Sequence, residues 1–419
     1  MSLDHSAIKD QFPALALQDN GQRRIYLDNP AGTQVPESVV RAIASCLRNA
    51  NANIGGHFTS SVAATAIVED AHEAMADLLN ARSAAEIIFG PNMTTLTLQI
   101  SRALGRTFKP GDEIIVTEMD HDANVTPWVL LARDHGLTIR KIPLDTTSYK
   151  LDYEQYENLL SDRTRLVCVG HASNLLGTIN DIRRITERAH HYGALVFVDA
   201  VHSVPHIPVD VTLLGCDLLA CSPYKFFGPH QGVLWGRQDL LESLEPYKLV
   251  PVPDSVPGCF ETGTQNHEAM AGVTAAVDYL ASLTDRDGAR RDRLRTSLEL
   301  IRDYEHQLCQ ALIQGLNQIE GLKIHGISAT NELLNRVPTV SFTLRHIDPE
   351  SIAGILAKHN IFAWSGHSYA VEPCKAMGVL QTGGVLRVGL VHYNTTDDIE
   401  ALLEVLRPIA AQKQDRLSA

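Results

Sequence analysis

The sequence predicts an α/β protein whose larger part is a mostly parallel sheet covered by helices on both faces. Three observations predict it. Short apolar runs rich in Ile, Val, Leu and Phe recur along the chain. Between most of them lie stretches with helical apolar spacing, the alternation that parallel sheets require. Out-of-place polar residues fall at the carboxyl ends of the runs, where open parallel sheets bind their ligands. The 419 residues suffice for two domains with their own cores. We expect a large domain over 24–275 and a smaller α+β domain over 276–419. An N-terminal arm, 1–23, is expected to pack on the smaller one.

The elements follow in order. Ile25–Asp28 reads as a short strand ended by Asn29-Pro30-Ala31-Gly32. Pro36–Asn49 is a helix, with Val39, Val40, Ile43 and Leu47 on one face. A polar loop holding Gly55-Gly56-His57 leads to a second helix, Ala63–Leu79. The apolar runs Glu86–Phe89, Glu113–Thr117, Ile139–Pro143, Leu166–Val169, Leu195–Val198 and Leu218–Cys221 are the sheet strands. Thr94–Leu104, Thr126–His135 and Ile182–Tyr192 are helices between them. Beyond Tyr279 the character changes. Asp285–Gly315 is a long charged helix with Leu294, Leu298, Ile301 and Leu308 on one stripe. Lys323–His325, Thr339–Thr343 and Val385–Val391 read as strands, and Ser351–His359 and Asp397–Leu406 as helices.

A formal charge of −13 argues against nucleic acid or an anionic membrane as partner. No apolar run reaches the ~20 residues of a membrane helix. The N-terminus shows no secretion signal. The seven cysteines are scattered and odd in number, which fits reduced thiols in a cytoplasmic protein. Cys216 and Cys221 do not have zinc spacing, and the eighteen histidines form no paired ligand pattern, so no metal is expected.

The run Leu218–Cys221 leads into Ser222-Pro223-Tyr224-Lys225. A lysine at the end of a buried strand loses solvation, which lowers its pKa and makes it an amine nucleophile toward carbonyls. A snorkelling surface lysine is the plainer alternative, and the aromatics Tyr224, Phe226 and Phe227 around it weigh against that. The preceding run, Leu195–Val198, ends in Asp199, with His202 just beyond. Lysine and carboxylate at neighbouring strand ends suit pyridoxal phosphate: the amine holds its aldehyde and the acid keeps its ring nitrogen protonated. A helix cap or a buried ion pair is the alternative for Asp199. Asn92-Met93-Thr94 opens a helix and suits either phosphate binding or plain capping. His121 is a candidate to lie on an aromatic cofactor or to be a solvated loop histidine. Asn174 offers a donor to a phenolic oxygen or serves a turn. Arg387, a charge inside a strand, suits a substrate carboxylate bidentately or a structural ion pair.

Together these residues resemble the class V aminotransferase family of fold-type I pyridoxal-phosphate enzymes, and within it the cysteine desulfurases. The resemblance runs from Leu27-Asp28-Asn29 to Tyr393-Asn394-Thr395. It implies Lys225 as the Schiff-base lysine, Ser222, Met93 and Thr94 as phosphate contacts, and Asp199 as partner of the ring nitrogen. It implies His202 and Asn174 beside the phenolic oxygen and His121 on the ring. Arg387 would bind the substrate carboxylate, with Asn29 and His57 on the substrate side. Thr264 would reach the phosphate of a neighbouring subunit, which implies a homodimer. The resemblance breaks at Trp364–Tyr369. Desulfurases carry there an Arg-x-Gly-His-His-Cys pattern whose cysteine accepts sulfur; here Tyr369 stands in its place. The expectation is lyase or aminotransferase chemistry on a small amino acid without a persulfide, with Tyr369 as a general acid or base or as lid packing. The alternatives are a desulfurase using Cys374, or a non-catalytic binding relative.

Overall fold

The computed structural model describes residues 3–412. Residues 1–2 and 413–419, the ends of the expected arm and smaller domain, lie outside the described residues. Seven strands form the main sheet: β1 (Ile87–Gly90), β2 (Glu113–Thr117), β3 (Thr138–Ile142), β4 (Thr164–Gly170), β5 (Leu195–Asp199), β6 (Leu218–Cys221) and β7 (Gly232–Gly236). Their order is β1-β7-β6-β5-β4-β2-β3, and β7 alone runs antiparallel to its neighbours. The connection 222–231 carries no helical crossover, so β7 cannot return parallel to β6.

Side chains of successive strand residues point to opposite faces. Phe197, Leu218 and Leu234 thus pack with Trp128 and Leu96 on one side. Val196, Val198, Leu219 and Val233 pack with Met75 and Val273 on the other. Both faces are dry, which is why the strands read as continuous apolar runs.

Four antiparallel strands make the smaller sheet: β8 (Leu322–His325), β9 (Thr339–Leu344), β10 (Trp364–Gly366) and β11 (Val385–Gly389), in the order β8-β9-β11-β10. The sequence gives no sign of β10. It is an edge strand of three residues, too short for a period, and it is held by pairing to β11. The helix Arg290–Asn317 serves both cores: Leu294, Leu298 and Ile301 enter the larger, and Leu308, Leu312 and Leu316 the smaller.

One expectation is corrected here, that of Asn29. The arm touches both parts. The Phe12 ring meets Phe227 of the larger part at 5.9 Å, and Tyr279 and Tyr393 of the smaller edge-on at 5.4 and 5.0 Å. His5 lies against the Tyr304 ring at 4.0 Å between centroids, and the end of the arm meets the smaller part through Arg23 to Asp398 and through Asn360 to the carbonyls of Asp19 and Gln22. Asn29 is not available to a substrate. Its Nδ2 donates to the Tyr26 and Gly389 carbonyls at 2.9 and 2.8 Å, and its Oδ1 accepts from the Tyr393 hydroxyl. It is a buried strut fastening residues 26–32 to the end of β11. Asn29→Ala is therefore expected to lower stability by about 2–4 kcal/mol, since several buried polar groups lose their partner at once. Urea denaturation of the cofactor-loaded protein measures this, and a loss below about 0.5 kcal/mol, the usual effect of a surface substitution, refutes the role.

Candidate active site

The carboxyl ends of β2, β4, β5 and β6 open into a cleft of about 780 Å³. Its floor is set by strand register. Asp199 lies opposite Ala220 on β6 and opposite Gly170 on β4. The chain leaves β6 through a single turn, Pro223–Lys225, which turns Lys225 back toward Asp199. Both residues are buried. Burial raises the Asp199 carboxyl to about 6, against the Val201 amide and the Lys225 charge, which lower it. Burial lowers the Lys225 amine to about 7; Arg387 pushes the same way and Asp199 opposes. The ammonium donates to the Pro30 carbonyl.

His121, just beyond β2, accepts at Nδ1 from the Ala123 amide at 3.0 Å. Its pKa is lowered to about 4 by burial, with Lys225 and Arg387 adding to the effect, so the ring is neutral. The Tyr369 ring stacks on it at 5.4 Å between centroids, and Tyr369 is 68% exposed. Met93 and Thr94 open the helix Met93–Gly105 on the cleft wall, behind the cap Asn92, whose Oδ1 accepts from the Thr95 amide. That turn lies against β7 so closely that a Cβ at Gly232 would overlap the Asn92 carbonyl group. Ser222 and His202 also line the cleft. Asn174 donates to the Ser368 carbonyl at 2.9 Å, while its own Oδ1 is buried without a partner.

Arg387 comes from β11. It is buried, donates to the Asn174 carbonyl at 2.9 Å, and has no carboxylate within ion-pair distance among the described residues. Burial lowers its pKa to about 10, with Asp28 and Tyr224 opposing. A buried guanidinium with spare donors is a receptor for a planar anion.

Two expected site residues stand apart. His57 and Thr264 are exposed on loops and do not line the cleft of their own chain. The sequence reading also missed Asp120. Its carboxylate accepts from the Gly170 amide and from Asn124 Nδ2, both at 2.8 Å, locking the end of β2 to the end of β4. Burial raises it to about 7, and Asp199 adds to the rise. The signal was an acid directly before His121 at a strand end. Asp28, raised to about 6 by burial against the Arg387 charge, was missed as well.

The Aminotransferase class-V family model matches residues 25–402. The chain belongs to the class V aminotransferase family. A cysteine desulfurase from Pectobacterium atrosepticum is 33% identical over 425 residues, covering 98% of each chain. The apo cysteine desulfurase of Thermococcus onnurineus superposes with a TM-score of 0.86 at 28% identity, covering 98% of this chain and 99% of that one. A C-DES mutant with glycine covalently linked to its PLP cofactor shares the fold alone, with a TM-score of 0.78 at 20% identity over 95% of this chain and 98% of that one.

This class V aminotransferase fold is of type I, and the cofactor is pyridoxal phosphate. The residues present fit it. A nucleophilic amine and a carboxylate share one buried floor, a neutral imidazole offers a face, and a helix N-terminus stands at the wall. Covalent uptake needs the neutral amine. A Lys225 pKa of about 7 predicts that the uptake rate of cofactor-free protein climbs with pH and levels off above about 8. At pH 6 it falls roughly tenfold below the plateau. Stopped-flow absorbance follows this directly. A rate still climbing at pH 10, as for an ordinary lysine, refutes the assignment.

Proposed function

We propose that the protein cleaves the carbon–sulfur bond of cysteine or a close cysteine analogue. The observation that carries this reading is the name borne by relatives one-third identical over nearly the whole chain, cysteine desulfurase. Arg387 supports an amino-acid substrate, since its unpaired guanidinium suits an α-carboxylate. When bound, pyridoxal phosphate supplies a sink for electrons released at the substrate α-carbon. Lys225, neutral in a large fraction near pH 7, takes the α-proton once freed. Asp199 would keep a proton on the ring nitrogen. His121 would cover one face, and the neutral His202 and Asn174 would serve the phenolic oxygen. Met93, Thr94 and Ser222 would hold the phosphate. Arg387 would orient the substrate so that its Cα–H bond meets Lys225.

The relatives' names favour a desulfurase, in which a protein thiol receives the sulfur and Cys374 is the candidate. One observation favours a second reading, a lyase or aminotransferase that forms no persulfide. No cysteine lines the cleft among the described residues, and Cys374 is fully buried on the helix Val371–Ala376, with its thiol pushed up to about 11 by burial. Thiolates, not buried thiols, attack sulfur. In this second reading Tyr369 is a proton donor or acceptor at the cleft mouth. We also propose a homodimer, in which the exposed Thr264 reaches the neighbouring phosphate, and a cytoplasmic place for seven unpaired cysteines. No helix among the described residues is long and apolar enough to cross a membrane.

Incubation with cysteine distinguishes the two readings. A persulfide on Cys374 by mass spectrometry, with turnover abolished in Cys374→Ser, establishes the desulfurase. Full turnover in Cys374→Ser with free sulfide establishes the lyase. Absence of any sulfur release from cysteine or its S-substituted analogues sinks the proposal itself. In either case Arg387→Lys is expected to raise KM about 10–100-fold with a smaller change in kcat, because a bidentate, charge-assisted contact is lost. An unchanged KM places the carboxylate elsewhere.

A further inference from the structure

Thr339 opens β9 of the smaller sheet, and His202 follows β5 of the larger. Their side chains nevertheless meet: Thr339 Oγ1 lies 2.7 Å from His202 Nε2. Both residues are buried, Thr339 completely. The hydroxyl has no other hydrogen-bond partner among the described residues. This fixes the direction of the bond. A hydroxyl carries one proton, and a buried O–H without an acceptor is costly. If Nε2 held the imidazole hydrogen, the Thr339 proton would have nowhere to go. Both atoms are satisfied when Thr339 donates to Nε2 and His202 carries its own hydrogen on Nδ1. With Nε2 turned to Thr339, Nδ1 is the nitrogen left for the cleft, which His202 lines.

The surroundings keep this ring neutral. Burial acts first, and His206 on its own segment, Lys225 after β6, Arg387 on β11 and His121 after β2 all oppose a positive charge; Asp199, at the end of β5, lines the same cleft. Glu305 of the long helix is held by His206 at 2.7 Å. The His206 ring meets His202 edge-on at 5.4 Å between centroids.

We propose that Thr339 is a positioning residue of the active site: it fixes His202 as the Nδ1–H tautomer, so that a neutral imidazole presents a hydrogen-bond donor to an anionic oxygen of the bound cofactor. The inference rests on the cofactor placement given above and not on the carbon–sulfur chemistry. It also ties the two sheets together. β9 pairs with β11, with Thr339 opposite Gly389 and Ser341 opposite Arg387, so one strand pair delivers both the hydroxyl and the substrate-binding guanidinium.

The test uses the holoenzyme without substrate, so its outcome is independent of which bond the enzyme cleaves. The visible absorbance of the bound cofactor is titrated with pH in wild type, Thr339→Val, Thr339→Ser, His202→Gln and the double variant Thr339→Val/His202→Gln. Cofactor content is fixed by borohydride labelling of Lys225. A donor to the phenolic oxygen draws off the negative charge that otherwise retains the neighbouring proton, so its loss raises the midpoint. Thr339→Val is expected to keep its cofactor and to titrate about one pH unit higher, tenfold in proton affinity. Thr339→Ser is expected to match wild type, and Thr339→Val to add nothing once His202 is Gln. Thr339→Ala gives the same comparison if valine disturbs the packing. An unchanged midpoint in Thr339→Val, a serine variant that behaves like valine, or a full shift persisting without His202 overturns the proposal.

Discussion

The register of β5 against β6 is the constraint on which the site depends. Asp199 stands opposite Ala220, and one turn beyond β6 brings Lys225 into the same buried volume. The sheet does this with strands that are apolar on both faces, so both charges are largely withdrawn from water and face it only through the cleft. No described ion pair joins the two; Asp199 accepts from the Val201 amide, and Lys225 donates to the Pro30 carbonyl and lies 5.2 Å over the Tyr224 ring. Buried polar groups left this short of partners are costly. The cost is met by the packed sheet, and it is offset when a ligand supplies the missing contacts. The opposed shifts, acid upward and amine downward, come from the same desolvation. Such shifts toward neutrality are what the proposed proton transfer requires.

Much of this was legible in the sequence, for a physical reason. Lys225, Asp199, His121 and Asn174 each follow an apolar run, and the carboxyl ends of parallel strands converge on one edge of the sheet. Knowing the runs was enough to bring these residues together. Arg387 could be found because a charge in a strand contradicts its surroundings. What could not be read is whatever depends on pairs far apart in the chain. Asn29 sits beside an apolar run as those residues do, yet its partners, Gly389 and Tyr393, lie some 360 positions away and turn it into a strut. Thr339 looked like an ordinary strand threonine until its hydroxyl was placed against a histidine 137 positions earlier. β10 has no period to detect and exists because β11 offers it an edge.

The run Trp364–Tyr369 is where the two proposed readings part. Ser368 and Tyr369 both take left-handed backbone angles, φ 48° and 57°. Non-glycine residues held there cost about 1 kcal/mol or more each and persist only when their surroundings hold them. Here the surroundings are loops that line the cleft. The Asp122 amide donates to the Tyr369 carbonyl at 2.8 Å, and Asn174 Nδ2 donates to the Ser368 carbonyl at 2.9 Å. These clamps act on the backbone, while the side chain at 369 is met by the rings of His121, stacked at 5.4 Å, and His367, edge-on at 6.2 Å. A phenol and a thiol at this point would be presented by the same strained turn, over the same amine and beside the same arginine. Under the proposed mechanism the first proton transfer, carried by Lys225, is therefore indifferent to the residue at 369. The fate of the substrate's side chain would not be, because that residue is the one the clamps deliver to the cleft mouth.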